Sequence, residues 1–314
     1  MGDGFTAVPA ITTDAGKAMK GADLVLMMGP THAHAAMAEV VAPHLTKSQI
    51  LFAAPGHTLT VIPNTLRRFG HKQPLFADCH SLPYICRKTR PDAVRVTRKA
   101  QLLHFAAFPG NRTAELADQL KPLFPTLRPR ETILDTVFPY TNAVHHPPAL
   151  LCNVGRVEST GGDYFHYYDG ITPSVGKMID ALDRERVAVS AAFDSRVPPL
   201  PEHFFQMGYT NEVGRDEGTA YAVFHNSEPN KPIRAPQSID HRFFNEDIPY
   251  GLMPLAALGK LANLDMPVTQ SVITLASVVT GKPYRDIGLT LERLGIDGMN
   301  VASLKKLLWE GFGE

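Results

Sequence analysis

The texture of the sequence changes near Thr136, and that change constrains the fold more than any single motif does. From Ala22 to about Thr136, short apolar runs alternate with helical patches, the pattern of an α/β sheet built from crossover units. Leu24 to Met28 and Gln49 to Ala53 read as buried strands. Ala33 to Leu45 reads as the helix between them, with Ala36, Met37, Val40 and Val41 on one side, and Pro55-Gly56 closes the second strand with a turn. Leu75 to Cys79, Ala93 to Arg98 and Leu102 to Phe108 read as three more strands, followed by a helix near Thr113 to Phe124.

Beyond Thr136 the apolar periods become long and helical. Thr172-Pro173-Ser174 is a strong helix start, with a hydroxyl at the cap and proline in the first turn, and Val175, Ile179, Leu182 and Val189 then share one face. Helices are also expected near Pro249 to Leu264, Thr269 to Thr280 and Val301 to Gly311, whereas Val197 to Arg242 reads as connecting loops with short helices. A chain of 314 residues usually splits its core. The expected division is a sheet domain over 1–136 and a mainly α-helical domain over 137–314.

Lys plus Arg and Asp plus Glu both total 31, which gives no electrostatic reason to expect a nucleic acid or a membrane surface as partner. A small polar or charged metabolite fits better. Cys79, Cys86 and Cys152 match neither a disulfide framework nor a zinc site, so no metal is expected and a reducing cytoplasm suits the chain. The longest apolar stretches, such as Val272 to Val279, fall short of the roughly 20 residues a membrane helix needs.

A dinucleotide site should announce itself near the amino terminus. Gly2-Asp3-Gly4-Phe5-Thr6-Ala7 has the glycine spacing, but those glycines work only between a strand and a helix. One residue precedes Gly2, and Pro9, Thr12 and Thr13 interrupt any helix that might follow; Asp23 more naturally follows a helix over Asp14 to Gly21. The match therefore reads as accidental, and the chain is expected to enter a truncated Rossmann-type parallel sheet near its third strand. The strand ends at Pro30 and Thr31 and at Pro55 and Gly56 would then lie on the carboxyl edge where such sheets bind ligands. Two tight turns serving no ligand is the alternative.

The most informative stretch is Thr141-Asn142-Ala143-Val144-His145-His146-Pro147-Pro148-Ala149-Leu150-Leu151. Prolines beside adjacent histidines restrict the backbone, so chain geometry sets the direction of an imidazole able to exchange protons near neutrality. A lone histidine, however, is more often a packing residue. Asn142 and His146-Pro147, then Tyr168-Asp169-Gly170-Ile171-Thr172-Pro173-Ser174-Val175, Asp183-Arg184-Glu185-Arg186, and Arg242-Phe243-Phe244-Asn245-Glu246-Asp247-Ile248-Pro249-Tyr250-Gly251-Leu252 together resemble the successive motifs of the octopine and nopaline dehydrogenase family. Ser81-Leu82-Pro83-Tyr84-Ile85-Cys86-Arg87 is similar to that family's pocket-lining segment, and Gly21 to His34 to its central strand and turn.

The resemblance implies a helical second domain like the carboxyl-terminal domain of 6-phosphogluconate dehydrogenase. It also implies NAD- or NADP-dependent reductive condensation of an amino acid with an α-keto acid, or the reverse oxidation, in a monomer or homodimer. On the matching positions His146 is the general acid and base, Asp247 orients it, and Arg242 binds a substrate carboxylate. Ser81, Cys86, Tyr140 and Asn142 are further pocket residues. Asp247 could instead cap the following helix, Arg242 could be a surface residue, and His145 competes with His146.

Two departures stand out: the glycine fingerprint is missing, and Pro55-Gly56-His57-Thr58-Leu59-Thr60 lacks the further glycines the family tends to carry there. The alternative functions are reduction of a single keto or hydroxy acid, and a non-catalytic carboxylate-binding homologue.

Overall fold

The computed structural model describes Gly4, Thr6 and residues 10–313. Gly2, Asp3, Phe5 and Ala7 of the amino-terminal glycine pattern lie outside the described residues. The chain forms two compact units, Met1–Thr136 with Lys306–Glu314, and Val137–Lys305.

The first unit is built on a five-stranded sheet of order β1-β2-β3-β6-β7, formed by Leu24–Met28, Ile50–Ala54, Phe76–Cys79, Leu103–Phe108 and Leu127–Pro129. The pairs β1/β2 and β2/β3 are parallel, with Leu24 opposite Ile50 and Leu51 opposite Phe76. Strand β2 is buried along its whole length, as expected of the uninterrupted apolar run Ile50-Leu51-Phe52-Ala53-Ala54 in a strand covered on both faces. Helices α1 (Ala15–Met19), α2 (His34–Val41), α3 (Val61–Arg68) and α4 (Thr113–Leu120) belong to the same unit. Fully buried Phe52, Phe76, Phe105 and Phe108 form its core with Leu51, Leu66 and Leu116, each large side chain contributing about 2 kcal/mol of apolar burial.

Three local expectations need correction. Strand β6 runs antiparallel to β3, Phe76 facing Phe108, so the sheet is mixed rather than wholly parallel. A parallel return requires a crossover, and the chain between β3 and β6 contains no helix. It makes a separate hairpin, β4 (Tyr84–Arg90) with β5 (Ala93–Lys99). Ala93 to Arg98 is thus a strand outside the main sheet, which suits basic residues that a central position could not bury. Finally, α2 buries His34 and Ala38 rather than the Ala36, Met37, Val40 and Val41 face. His34 is drawn inward because its Nδ1 lies 3.0 Å from Thr58 Oγ1, while Val40 is left exposed.

In the second unit and at its borders the helices are α5 (Leu134–Val137), α6 (Asn142–Leu151), α7 (Val154–Thr160), α8 (Pro173–Ala192), α9 (Leu200–Gln206), α10 (Glu212–Asp216), α11 (Ala220–His225), α12 (Arg242–Asn245), α13 (Met253–Leu261), α14 (Pro267–Thr280), α15 (Tyr284–Ile287) and α16 (Val301–Glu310). Helix α8 begins as expected: the Thr172 hydroxyl accepts from the Val175 amide and Pro173 occupies the first turn. Val175, Ile179, Leu182 and Val189 are buried along it.

The Asp183-Arg184-Glu185-Arg186 motif on α8 serves the architecture. Arg186 is fully buried and donates from Nε to Asp183 Oδ1 at 2.8 Å, from Nη1 to the Phe138 carbonyl at 3.0 Å and from Nη2 to the Pro198 carbonyl at 2.8 Å. Asp183 Oδ2 accepts from the Leu200 amide at 2.7 Å. Glu185 accepts from the amides of Val268 and Thr269, each at 2.8 Å, and so neutralises the amino-terminal end of α14. One turn of α8 thereby fixes three neighbouring segments.

Candidate active site

Helix α6 carries Pro147 and Pro148 in its interior, so two backbone donors are missing from its ladder. His145 and His146 just before them are both buried. Neighbouring helical side chains point roughly 100° apart, so the two imidazoles meet different surroundings. His145 packs against Phe224 and Phe204, with ring centroids 4.9 and 5.6 Å away, and its Nδ1 has no hydrogen-bond partner among the described residues. His146 Nδ1 lies 2.8 Å from Asp247 Oδ2.

Asp247 reaches that point through a π-helical turn over Ile248–Leu252 that follows α12. The wide turn lies against α6 at Gly251, where an added Cβ would fall 2.4 Å from the Ala143 Cβ; glycine is required by this close approach. Asp247 stands at the cap position of the turn, yet its side chain makes no cap bond. One oxygen meets His146, and the other accepts from the Tyr140 hydroxyl at 2.5 Å. Both oxygens are thus used by side chains 101 and 107 residues away in sequence.

The other ring nitrogen of His146, Nε2, lies 2.7 Å from the Tyr167 hydroxyl. The Phe243 ring stacks on the imidazole with centroids 3.8 Å apart and planes 21° apart. His166, buried beside Phe243 and Tyr167, has no hydrogen-bond partner on either ring nitrogen among the described residues. Arg242 is half-exposed and pairs through Nε with Glu246 at 3.0 Å. Asn142 opens α6 one turn before His146 and is partly buried.

Electrostatics follow from this enclosure. Burial pushes the Asp247 carboxyl up to about 7, against the opposing pull of the Tyr140 hydrogen bond, of Arg242 and of His241. Burial, then Arg242 and His241, holds the His146 imidazole well below its usual range. Tyr140 is driven up by burial and by Asp247, which keeps it a donor. Burial therefore favours the uncharged form of each partner, and the pair takes up one proton near neutrality as a unit.

Tyr140, Asn142, His146, Arg242 and Asp247 all belong to the second unit, with the first, third and fifth directly hydrogen-bonded in a chain. Ser81, Cys86, Pro30, Thr31, Pro55 and Gly56 belong to the first unit. Ser81 follows β3 and its carbonyl accepts from Cys79 Sγ at 2.9 Å, while Cys86 lies exposed on β4. Thr31 and Gly56 are buried just beyond β1 and β2. The sequence reading did not single out Tyr167, Phe243 or Gly251; the last two lie inside a quoted motif, and Tyr167 immediately precedes another. Among the described residues no cluster of three or more His, Cys, Asp or Glu is arranged to hold a metal ion.

Comparison with known proteins gives consistent results. Residues 129–280 match the family described as NAD/NADP octopine/nopaline dehydrogenase, alpha-helical domain. An opine dehydrogenase from Arthrobacter sp. (strain 1C) is 32% identical over 297 residues, spanning 94% of this chain and 81% of that protein. A solved octopine dehydrogenase with NADH and L-arginine superposes with a TM-score of 0.76 at 18% identity, covering 98% of this chain and 83% of the other. A yersinopine dehydrogenase with NADP+ bound gives 0.70 at 13% identity, covering 95% and 81%.

Proposed function

Since the chain belongs to the opine dehydrogenase family, we propose that it couples an amino acid to an α-keto acid by NAD- or NADP-dependent reduction of their imine, and runs the reverse oxidation. The observation that carries this reading is the buried pair of His146 and Asp247 tied to Tyr140.

The first unit suits a dinucleotide. Gly56 at the end of β2 is so close to β3 that an added Cβ would lie 2.2 Å from Asp78 Cγ, so the turn presents bare backbone on a parallel sheet edge. Pro30, Thr31, Pro55 and Gly56 are the residues that would hold the cofactor there. When bound, the nicotinamide supplies or accepts the hydride.

The chain's own residues manage the accompanying proton. Nitrogen or oxygen on the substrate gains electron density as carbon is reduced, and a donor near neutrality lowers that barrier by about 10² to 10⁴ in rate. Asp247 fixes the imidazole's tautomer and orientation, and Tyr140 holds Asp247 from its other side. Arg242 supplies a planar cation suited to a substrate carboxylate, and Glu246 sets its direction. Asn142, Ser81 and Cys86 complete the proposed set of substrate contacts.

No helix among the described residues is long and apolar enough to cross a membrane, and the three scattered cysteines of the sequence suit the reducing cytoplasm we assign to the chain. We take the functional form to be a monomer or homodimer acting on small molecules.

The test is NADH and NADPH oxidation by the purified protein with amino acids and α-keto acids singly and in pairs. Consumption that requires both partners is expected. Consumption with a keto acid alone would replace this reading with a single-substrate reductase.

A further inference from the structure

His146 has no ring atom left open to a reactant. Its Nδ1 is taken by Asp247 at 2.8 Å and its Nε2 by the Tyr167 hydroxyl at 2.7 Å. Phe243 stacks on it at 3.8 Å, the His145 ring stands edge-on at 4.4 Å, and only 5% of the residue is exposed. A proton moving between this imidazole and a substrate must therefore cross the tyrosine hydroxyl, or the tyrosine must leave.

Tyr167 is poorly placed to leave. Its ring lies parallel to Phe224, with planes 11° apart and centroids at 5.1 Å, and the His166 ring stands edge-on to it at 4.8 Å. Swinging out would give up the stack and strip Nε2 of its partner, leaving a buried polar atom unsatisfied. Staying in place loses nothing, because a phenol hydroxyl donates one hydrogen bond and accepts others.

We propose that Tyr167 is a catalytic residue, its hydroxyl relaying the proton between His146 Nε2 and the reacting substrate atom. This rests on the dehydrogenase reading above and specifies its proton path. In the reductive direction, hydride from the reduced nicotinamide bonds to the imine carbon and the C=N π pair moves to nitrogen. That nitrogen takes the Tyr167 hydroxyl proton, and the phenol oxygen simultaneously takes the proton on His146 Nε2. The histidine is left neutral, with Asp247 still bonded at Nδ1; oxidation runs the same transfers backwards. The charged or titratable groups around the relay are Asp247, Tyr140, Arg242, Glu246, His241, His145 and His166.

The decisive comparison is Tyr167→Phe against the parent, with an amino acid and keto acid pair that the parent uses. The variant keeps the ring stack and removes the relaying oxygen. A 10- to 100-fold loss of kcat with less than a threefold change in KM for either substrate is expected; kcat within twofold of the parent overturns the relay while leaving the dehydrogenase reading intact. The parent itself gives a second readout that needs no variant. Its kcat should depend on the deuterium fraction of the solvent along a curve, since two protons move together. A straight line, meaning one proton, overturns the relay. A parent that oxidises neither NADH nor NADPH with any pair overturns the dehydrogenase reading and the relay with it.

Discussion

Asp78 in the first unit and Asp247 in the second are both deeply buried carboxylates whose pKa burial raises, and the two are treated differently. Asp78 on β3 accepts from the Thr136 hydroxyl at 2.7 Å, and burial pushes its carboxyl up to about 8. Asp247 is equally enclosed and pushed up to about 7, but it holds a tyrosine on one oxygen and an imidazole on the other. Burial alone raises a carboxyl's pKa; what distinguishes the second is a neighbour able to carry its proton elsewhere. A perturbed acid thus becomes a candidate for chemistry only where a hydrogen-bonded path leads away from it.

Substitutions can break this contrast. Asp247→Asn keeps the shape but removes the charge that orients His146, so kcat should drop by about 10² to 10⁴ while the circular dichroism spectrum is unchanged. A loss below threefold would place Asp247 with Asp78 as a merely buried acid. Gly251→Ala acts on the same pair indirectly, because its new methyl meets Ala143 at 2.4 Å and forces the π turn off α6. Overpacking of this kind costs about 1 to 3 kcal/mol, and a roughly tenfold fall in kcat should accompany it. Adding Ala143→Gly should recover most of both losses, measured by thermal unfolding and steady-state kinetics.

The pH behaviour sharpens the contrast further. In the proposed mechanism reduction draws its proton from the Asp247 and His146 pair, so its rate should fall as pH rises through about 7, while the oxidative rate rises over the same interval. A flat reductive profile between pH 6 and 8 would contradict that, on the ordinary range of such titrations of about one unit either side of the midpoint. Asp78 should report in stability instead. Its folded pKa of about 8 lies above the unfolded value of about 4, so the folded state binds more protons between them and stability falls as pH rises through that window. Asp78→Asn removes this term, and its thermal midpoint should exceed the parent's by a few degrees at about pH 8.5 but not near pH 5.

Much of this was legible in the sequence, for identifiable reasons. The apolar run of β2 and the Thr172-Pro173 start of α8 are local signals, and local signals survive folding. The approach of His146 to Asp247 was expected only from motifs in a familiar order, because no local rule links residues 101 positions apart. Ala93 to Arg98 was legible as a strand, but its hairpin partner Tyr84–Arg90 was hidden by its charges, which weaken the alternation expected of a half-buried strand. Helix α2 was misread because its apolar face was counted without allowing His34 a buried partner in Thr58. Tyr167 gave no signal of its own: a tyrosine beside a tyrosine becomes informative only once its hydroxyl is seen against Nε2.

The most direct measurement is the turnover of His146→Ala with a substrate pair the parent accepts, alongside calorimetric titration of both proteins with NADH. The expected result is a loss of at least about two orders of magnitude in kcat with the affinity for NADH little changed. Turnover equal to the parent's would contradict a mechanism in which this imidazole handles the proton.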